Sequence, residues 1–446
     1  MKICLVTAFP PSGRQLNEYG FHLARELQRN PLVQLTILGD IITDYAWATD
    51  EHGHISTDRR ELPGFHVVRC WESNRLSAPL GLARAVHQLK PDVVWFNLVY
   101  STFATQAHPV AAFAGLCTPA LMRAMGYYTH ATLHHILEHV DFVGAGVKQE
   151  RVFRFGSELA TRALLGANSV TVLLPGYRRT LIEKYAADNV LLGTHGTFAA
   201  RPCPPDWSAR GNPDHRILAI GHWGTYKRLE TLMEAFPTVL RRTPTARLII
   251  AGANHHTKPG YWESIREKVG ANPRIEFRGY VPEEDVPELF RTTSIVVLPY
   301  DSATGSSGPA HQACEYGVPI VSADIGDFRD MAADEDMAIS FYKVGDPIDL
   351  AAQLIGLLES PQDQRRAAEQ NYAAAIRMTM PNVVRHYLRW FELQRRRQTF
   401  AASAGGTLFS RWRRKSSLRL ALHGLPSSLQ GRARYAPDAE EETTGD

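Results

Sequence analysis

Residues 294–326 read Ser-Ile-Val-Val-Leu-Pro-Tyr-Asp-Ser-Ala-Thr-Gly-Ser-Ser-Gly-Pro-Ala-His-Gln-Ala-Cys-Glu-Tyr-Gly-Val-Pro-Ile-Val-Ser-Ala-Asp-Ile-Gly. The order is buried strand, glycine-rich loop, short helix, buried strand, turn. Ile295–Leu298 is continuously apolar, as in a strand covered on both faces. Pro309 suits a first helical turn, where its missing N–H costs nothing, and Ser307 or Gly308 can cap. Gly317 fits the helix C-terminus, and Val318–Val321 resumes a strand. The loop Gly305-Ser306-Ser307-Gly308 then offers backbone N–H groups at a helix N-terminus, a site suited to a diphosphate. On these residues alone, a tight strand-to-helix turn that binds nothing is an equal alternative.

A second segment shifts that balance. Residues 217–236, Ile-Leu-Ala-Ile-Gly-His-Trp-Gly-Thr-Tyr-Lys-Arg-Leu-Glu-Thr-Leu-Met-Glu-Ala-Phe, predict a strand ending at Gly221 and an amphipathic helix. Its apolar positions are Leu229, Leu232, Met233 and Phe236. Lys227 and Arg228 sit just before that helix, from where a lysine reaches a phosphate held by the other loop. A solvated lysine in a first helical turn is the competing reading.

Together the two segments resemble the donor-binding half of glycosyltransferase family 4, a retaining family with the GT-B fold. The family pattern of strand, Gly, Arg, short loop, Lys, helix matches Gly221 and Lys227, with His222 where arginine is usual. The family also carries two glutamates flanking the glycine loop. Aligned on Gly317 and the following Pro-Ile-Val-Ser, those positions hold Thr304 and Gln312, so both carboxylates are missing. Glu315 lies on a different part of the helix. The resemblance covers roughly residues 1–395. It implies two doubly wound, Rossmann-like α/β domains facing across a cleft. It further implies Lys227 and His134 as catalytic residues, and a donor site drawn from His222, Arg228, Thr304, Gly305, Ser306, Ser307, Gly308 and Gln312.

The N-terminal half repeats the grammar. Ile3–Val6 is an expected strand, followed by the loop Phe9-Pro-Pro-Ser-Gly-Arg-Gln. Leu16, Gly20, Leu23, Ala24 and Leu27 then share one helical face. Val33–Leu38, Gly64–Arg69 and Pro91–Asn97 read as further strands, with a helix at Leu82–Leu89. Such alternation implies a parallel sheet whose ligands sit beyond the carboxyl ends of the strands, so Gly13 and Asn97 are expected to face the cleft. Thr129-His-Ala-Thr-Leu-His-His-Ile136 resembles the family's strand ending in Thr-x-His, with His134 as the histidine that reaches the transferred sugar. A core, surface or helix-capping histidine remains an alternative there, as does a zinc site from His130, His134 and His135.

The expected organisation is an acceptor-side domain at 1–198, a linker at 199–214 and a nucleotide-sugar-binding domain at 215–380. A crossover helix at 381–399 and a mobile tail at 400–446 complete it. The linker is marked by Arg201-Pro-Cys-Pro-Pro-Asp-Trp-Ser-Ala-Arg-Gly-Asn-Pro, rich in proline and polar residues. His195, just before it, reads as a residue near the hinge or as a plain turn residue. The chain of 446 residues is long enough for two core-bearing domains of about 100–200 residues each. Hydrophobic content of 44% and charged content of 21% describe a globular protein, and a net charge of +3 does not suggest a nucleic-acid partner. The five cysteines lack metal spacing and read as reduced thiols. No secretory signal or membrane-spanning run is visible, so a cytoplasmic placement is expected. The tail is basic at 411–434 and acidic at 438–446, which leaves either a solvated tail or peripheral contact with an anionic membrane. Asp334-Glu335-Asp336 reads as a surface turn away from the donor loop, with no metal role.

The expected partners are therefore a nucleotide-diphosphate sugar and an unidentified glycan or lipid-linked acceptor, with no cofactor and no metal. The missing glutamates keep a second class open, a non-catalytic sugar-nucleotide-binding scaffold. An epimerase or phosphorylase of the same fold is a more distant alternative.

Overall fold

The apolar run at the start of the chain forms β1 (Lys2–Val6), whose four inner residues are all buried. A computed structural model describes residues 1–42, 64–105, 107–140, 150–205, 215–255, 258–302 and 305–404. In it β1 lies between β2 (Gln34–Asp40) and β4 (Val93–Leu98), with Ile3 opposite both Leu35 and Val93. β3 (Val67–Trp71) flanks β2. On the other side β5 (Thr129–Leu133), β6 (Ser169–Val172) and β7 (Val190–Leu192) follow in turn. The order is β3-β2-β1-β4-β5-β6-β7, all parallel. Parallel strands need crossover connections, and helices supply them, so both faces of the sheet are covered and the strands read as apolar runs.

The second sheet is built the same way from β8 (Arg216–Trp223), β9 (Arg247–Asn254), β10 (Ile275–Gly279), β11 (Ile295–Leu298), β12 (Ile320–Ala323) and β13 (Ile339–Tyr342). Its order is β10-β9-β8-β11-β12-β13. In each sheet the chain reverses direction of winding beside the first strand, between β1 and β4 and between β8 and β11. Connections on the two sides of such a switch point leave in opposite directions and open a crevice at the carboxyl ends. The expected α/β architecture of two doubly wound sheets is therefore what the chain adopts.

Several boundaries differ from the sequence reading by one turn or less. The helix expected from Leu82 begins at Ala78, with Pro79 in its first turn, where proline is tolerated. The strand expected at Gly64–Arg69 is shifted to Val67–Trp71, which puts Trp71 in the core. Residues 206–214 of the proline-rich segment and residues 405–446 of the tail lie outside the described residues. Residues 400–404, expected in the tail, belong to the helix Met380–Ala404. Among the described residues no helix is long and apolar enough to cross a membrane. All five cysteines are free.

The start of the helix Met380–Ala404 returns to the first sheet. Tyr387 is buried, its ring 4.4 Å from Trp95 of β4 and 5.4 Å from His130 of β5. Its hydroxyl stands 3.3 Å from Thr132 Oγ1. An aromatic ring wedged between two strands contributes mainly through the apolar area it removes from water. Tyr387→Ala is expected to cost about 3–5 kcal/mol in urea unfolding, and Tyr387→Phe under about 1.5 kcal/mol. Equal losses for the two variants would place the anchor in the hydroxyl and not in the ring.

Candidate functional site

The loops that leave the carboxyl ends of the two sheets meet one another. In the second sheet the switch point lies between β8 and β11, and both connections leaving it carry predicted site residues. The chain after β8 forms a tight loop closed by Gly224 N–H donating to the Lys227 carbonyl. Lys227 then pairs antiparallel with Tyr300, just past β11, and Arg228 N–H donates to the Pro299 carbonyl. This fixes Lys227 beside the strand that runs into the glycine loop. Its ammonium stands 4.9 Å from the Tyr300 ring centroid, on a half-buried side chain. The stem runs past Gly221, where an added Cβ would lie 3.3 Å from Lys227 Cδ. Among the described residues no carboxylate pairs with Lys227, so its charge is held by an aromatic face and remains available to an anion.

Arg228 differs. It is exposed, and it pairs with Glu230 at 3.0 Å and with Asp301 at 3.5 Å. Its charge is already offset by two carboxylates, which argues against the donor-binding role expected from its position. His222 is exposed at the end of β8.

The helix Gly308–Glu315 begins as expected, with Ser307 as cap: its hydroxyl accepts from Ala310 N–H. Ser306 Oγ is buried without a hydrogen-bond partner among the described residues. Gln312 is half-buried on the helix. Thr304 lies outside the described residues. Gly305 corrects the sequence reading, since its N–H is not open to a ligand. It donates to Asp327 Oδ2 at 2.9 Å. The amides left for an anion are those of Ser306, Ser307 and Gly308.

Gly305 is also where the halves touch. Its φ is +82°, and an added Cβ would fall 2.5 Å from the carbonyl oxygen of His134. Only glycine fits both conditions. Asp327, in the first turn of the helix Gly326–Glu335, gathers the contact. It accepts from Gly305 N–H, from Tyr177 Oη at 2.6 Å and from the His139 ring at 3.5 Å. Asp330 of the same helix accepts from Gly176 N–H at 2.7 Å, at the start of the helix Pro175–Tyr185. Burial by itself would raise Asp327, but the hydrogen bonds from His139, Tyr177 and Gly305 outweigh it and hold the carboxyl below its ordinary value.

In the first half, His134 follows β5 and is buried. Its Nε2 lies 2.7 Å from Asn97 Oδ1, while Asn97 Nδ2 donates to Thr7 Oγ1 at 3.1 Å. The amide orientation makes Oδ1 an acceptor, so Nε2 carries the proton and Nδ1 is left as an acceptor. Burial, reinforced by neighbouring His135, pulls His134 down to about 3, so the ring is neutral. Asn97 itself is fully buried. It was expected to face the cleft; instead it lies beneath His134 and orients it, because its amide is consumed on both sides. Gly13 is exposed with φ +64°, on a loop pinned by Arg69, which donates to the carbonyls of Phe9 and Pro10. His130 does not join a metal cluster with His134. Its Nδ1 is 2.7 Å from Ser169 Oγ.

His134 leads into a row of rings. Tyr19 stands edge-on at 4.5 Å, and its hydroxyl donates to the His195 carbonyl at 2.9 Å. His195 lies 5.8 Å from His134 and 4.7 Å from His311 on the glycine-loop helix. His311 Nε2 is 2.9 Å from Glu335 Oε2, both side chains buried. The surface-turn reading of Asp334-Glu335-Asp336 is thus overturned for Glu335. The helix ends there, so successive residues face different ways: Glu335 turns inward, and Asp336 is exposed against Arg377 at 2.6 Å. Glu315 is likewise structural, accepting from Phe198 and Ala199 N–H at 3.1 Å each.

Residues 214–360 match the family of glycosyl transferases group 1. A phosphatidyl-myo-inositol mannosyltransferase of Mycolicibacterium smegmatis is 28% identical over 195 residues, 43% of this chain and 47% of that protein. The chain spans less than half the length of the curated relatives it matches. Among solved structures, HepE of Anabaena in complex with UDP superimposes with a TM-score of 0.63 at 14% identity, over 88% of this chain and all of that one. Sucrose-phosphate synthase of Thermosynechococcus elongatus gives 0.66 at 14% identity, over 90% of this chain and 100% of its own.

The fold is GT-B. In a GT-B fold the residues that sequence reasoning missed are those that join the halves. Asp327 lies 150 residues from Tyr177 and 188 from His139. The one local signal was an acidic residue in a first helical turn, which ordinarily serves the helix dipole alone.

Gly305→Ala is expected to force the halves apart, raising the radius of gyration in small-angle scattering and lowering Tm. An unchanged radius and Tm would refute the close approach. Asp327→Asn is expected to cost about 1–3 kcal/mol near neutral pH. The wild-type carboxyl, depressed in the folded state, stabilises fully above its unfolded value, and that contribution fades as pH falls through the folded value. Urea unfolding from neutral to acid pH is expected to show the gap between wild type and Asp327→Asn closing. A gap that is constant with pH would remove Asp327 as the titrating group.

Proposed function

We propose that this chain is a glycosyltransferase that moves a sugar from a nucleotide-diphosphate donor to a glycan or lipid-linked acceptor, with retention of anomeric configuration. The observation that carries the reading is Lys227, a half-buried cation without a carboxylate partner among the described residues, held at the switch point beside the glycine loop. The family match and the similarity to HepE bound to UDP support a nucleoside diphosphate as leaving group.

When the anomeric C–O bond breaks, positive charge develops on the sugar and negative charge on the departing phosphate. Lys227 and the amides of Ser306, Ser307 and Gly308 act on that negative charge, which is greatest in the transition state. They are fixed before the reaction begins, so little reorganisation is needed. Neutral His134, with Nδ1 free to accept, suits a hydrogen bond from a hydroxyl of the transferred sugar. The basic stretch 411–434, outside the described residues, is read first as a solvated tail and second as a segment for peripheral contact with anionic lipid.

Gln312 favours a second reading. An amide replaces the carboxylate that the resemblance implies, and it binds a ribose hydroxyl less strongly than a charged acceptor. A sugar-nucleotide-binding scaffold would keep the diphosphate site and lose turnover. A panel of labelled sugar nucleotides, assayed for both binding and product, separates the two.

Lys227→Ala is expected to lower turnover by about 10²–10³ while the protein stays folded. His134→Ala is expected to lower it by roughly tenfold, as for one lost hydrogen bond. Wild-type turnover by Lys227→Ala would sink the mechanism, and binding without product across the panel would favour the scaffold.

A further inference from the structure

His311 sits in the first turns of the helix Gly308–Glu315, and nothing in the chemistry above uses it. It is buried, 1% exposed, which makes an unpaired charge there costly. Both ring nitrogens lie close to an oxygen, Nδ1 as a hydrogen bond and Nε2 as an ion-pair contact outside hydrogen-bond geometry. Nδ1 is 2.7 Å from the Ser307 carbonyl, and Nε2 is 2.9 Å from Glu335 Oε2. The Ser307 carbonyl only accepts, so Nδ1 carries a proton, and a second proton on Nε2 turns the close approach to Glu335 into an attractive charge pair. The imidazolium and Glu335 then form a buried ion pair at the base of the loop.

The bond to Ser307 has a consequence for the loop. A peptide unit is planar and trans, so the Ser307 C=O and the Gly308 N–H point in opposite directions. The Ser307 carbonyl is held twice, by the His311 ring and by His311 N–H at 3.1 Å, both from within the helix. Gly308 N–H must therefore point away from the helix, out of its N-terminus. Gly308 has no Cβ to bias this plane, so the clamp supplies the rigidity that the glycine lacks.

We propose that His311 is a positioning residue for the diphosphate loop: as an imidazolium clamped between Glu335 and the Ser307 carbonyl, it fixes the Ser307–Gly308 peptide so that its N–H is aimed at bound phosphate. This deepens the function proposed above and rests on the loop being a diphosphate site. His311 acts through the backbone and does not touch the reacting atoms. The titratable groups around it are Glu335 on the neighbouring helix, His195 on the turn after β7 with His134 behind it, Tyr19 near Glu335, and Cys314 on its own helix. Burial alone would lower His311, but Glu335 and the Ser307 carbonyl outweigh it and raise it, whereas His195 is held neutral by burial and by His311 itself. The imidazolium thus persists to higher pH than in an ordinary histidine and is lost as pH rises through the raised value.

The test titrates UDP, GDP and inorganic pyrophosphate into the full chain by calorimetry across a pH series, with Tm measured in parallel. His311→Leu strands the Glu335 carboxylate and is expected to lower Tm. His311→Leu combined with Glu335→Leu removes both charges and is expected to recover Tm, since replacing a whole buried pair is far less costly than breaking it. The double variant is nonetheless expected to bind the diphosphate that wild type prefers roughly 10- to 100-fold more weakly. Wild-type affinity is expected to fall on the alkaline side, and the weakened binding of a His311→Gln variant is expected to lack that limb. A double variant that folds and binds like wild type overturns the proposal alone. An alkaline limb that persists in His311→Gln also overturns it. Wild-type protein that binds none of the three ligands overturns the diphosphate site itself, and the positioning role with it.

Discussion

One buried carboxylate holds the site together. Asp327 accepts from the glycine loop that precedes it in the second half and from Tyr177 and His139 in the first. A carboxylate has lone pairs enough for all three donors, and burial makes leaving any of them unmet expensive. The geometry of the loop is therefore set jointly by both halves. Gly305, with its amide given to Asp327 and its Cα pressed towards the His134 carbonyl, is the point at which that joint constraint reaches the site.

The buried histidines show how environment assigns different states to one residue type. His134 is neutral because burial penalises its charge and Asn97 offers only an acceptor to Nε2. His195 is neutral between two other rings. His311, 4.7 Å from His195, is pushed the other way because the buried Glu335 carboxylate and the Ser307 carbonyl outweigh its burial. On the proposed function, a neutral ring at His134 and a ring at His311 biased towards its charged form suit the charges a departing diphosphate would bring. Lys227 completes the arrangement from the other side of the switch point, kept from carboxylates that would quench it, while Arg228 next to it is quenched by two.

The repeating order of apolar run, loop and helix determined the two parallel sheets, because a strand covered on both faces leaves a continuous apolar signature whatever its neighbours are. The same local grammar placed the Ser307 cap, the Pro309 turn and Lys227 ahead of its helix, since each depends on residues within a turn or two. What the sequence by itself could not decide was which polar groups would find each other. Asn97 looked like a strand-end ligand and became a support for His134; Gly305 looked like an open amide and is bonded to Asp327; Glu335 looked like a surface turn and is buried against His311. Each of these outcomes depends on a partner far away in the chain, from 22 to 188 residues for the contacts of Asp327. A hydrogen bond or ion pair needs its partner within about 3 Å, and only the packing of the two sheets supplies that proximity.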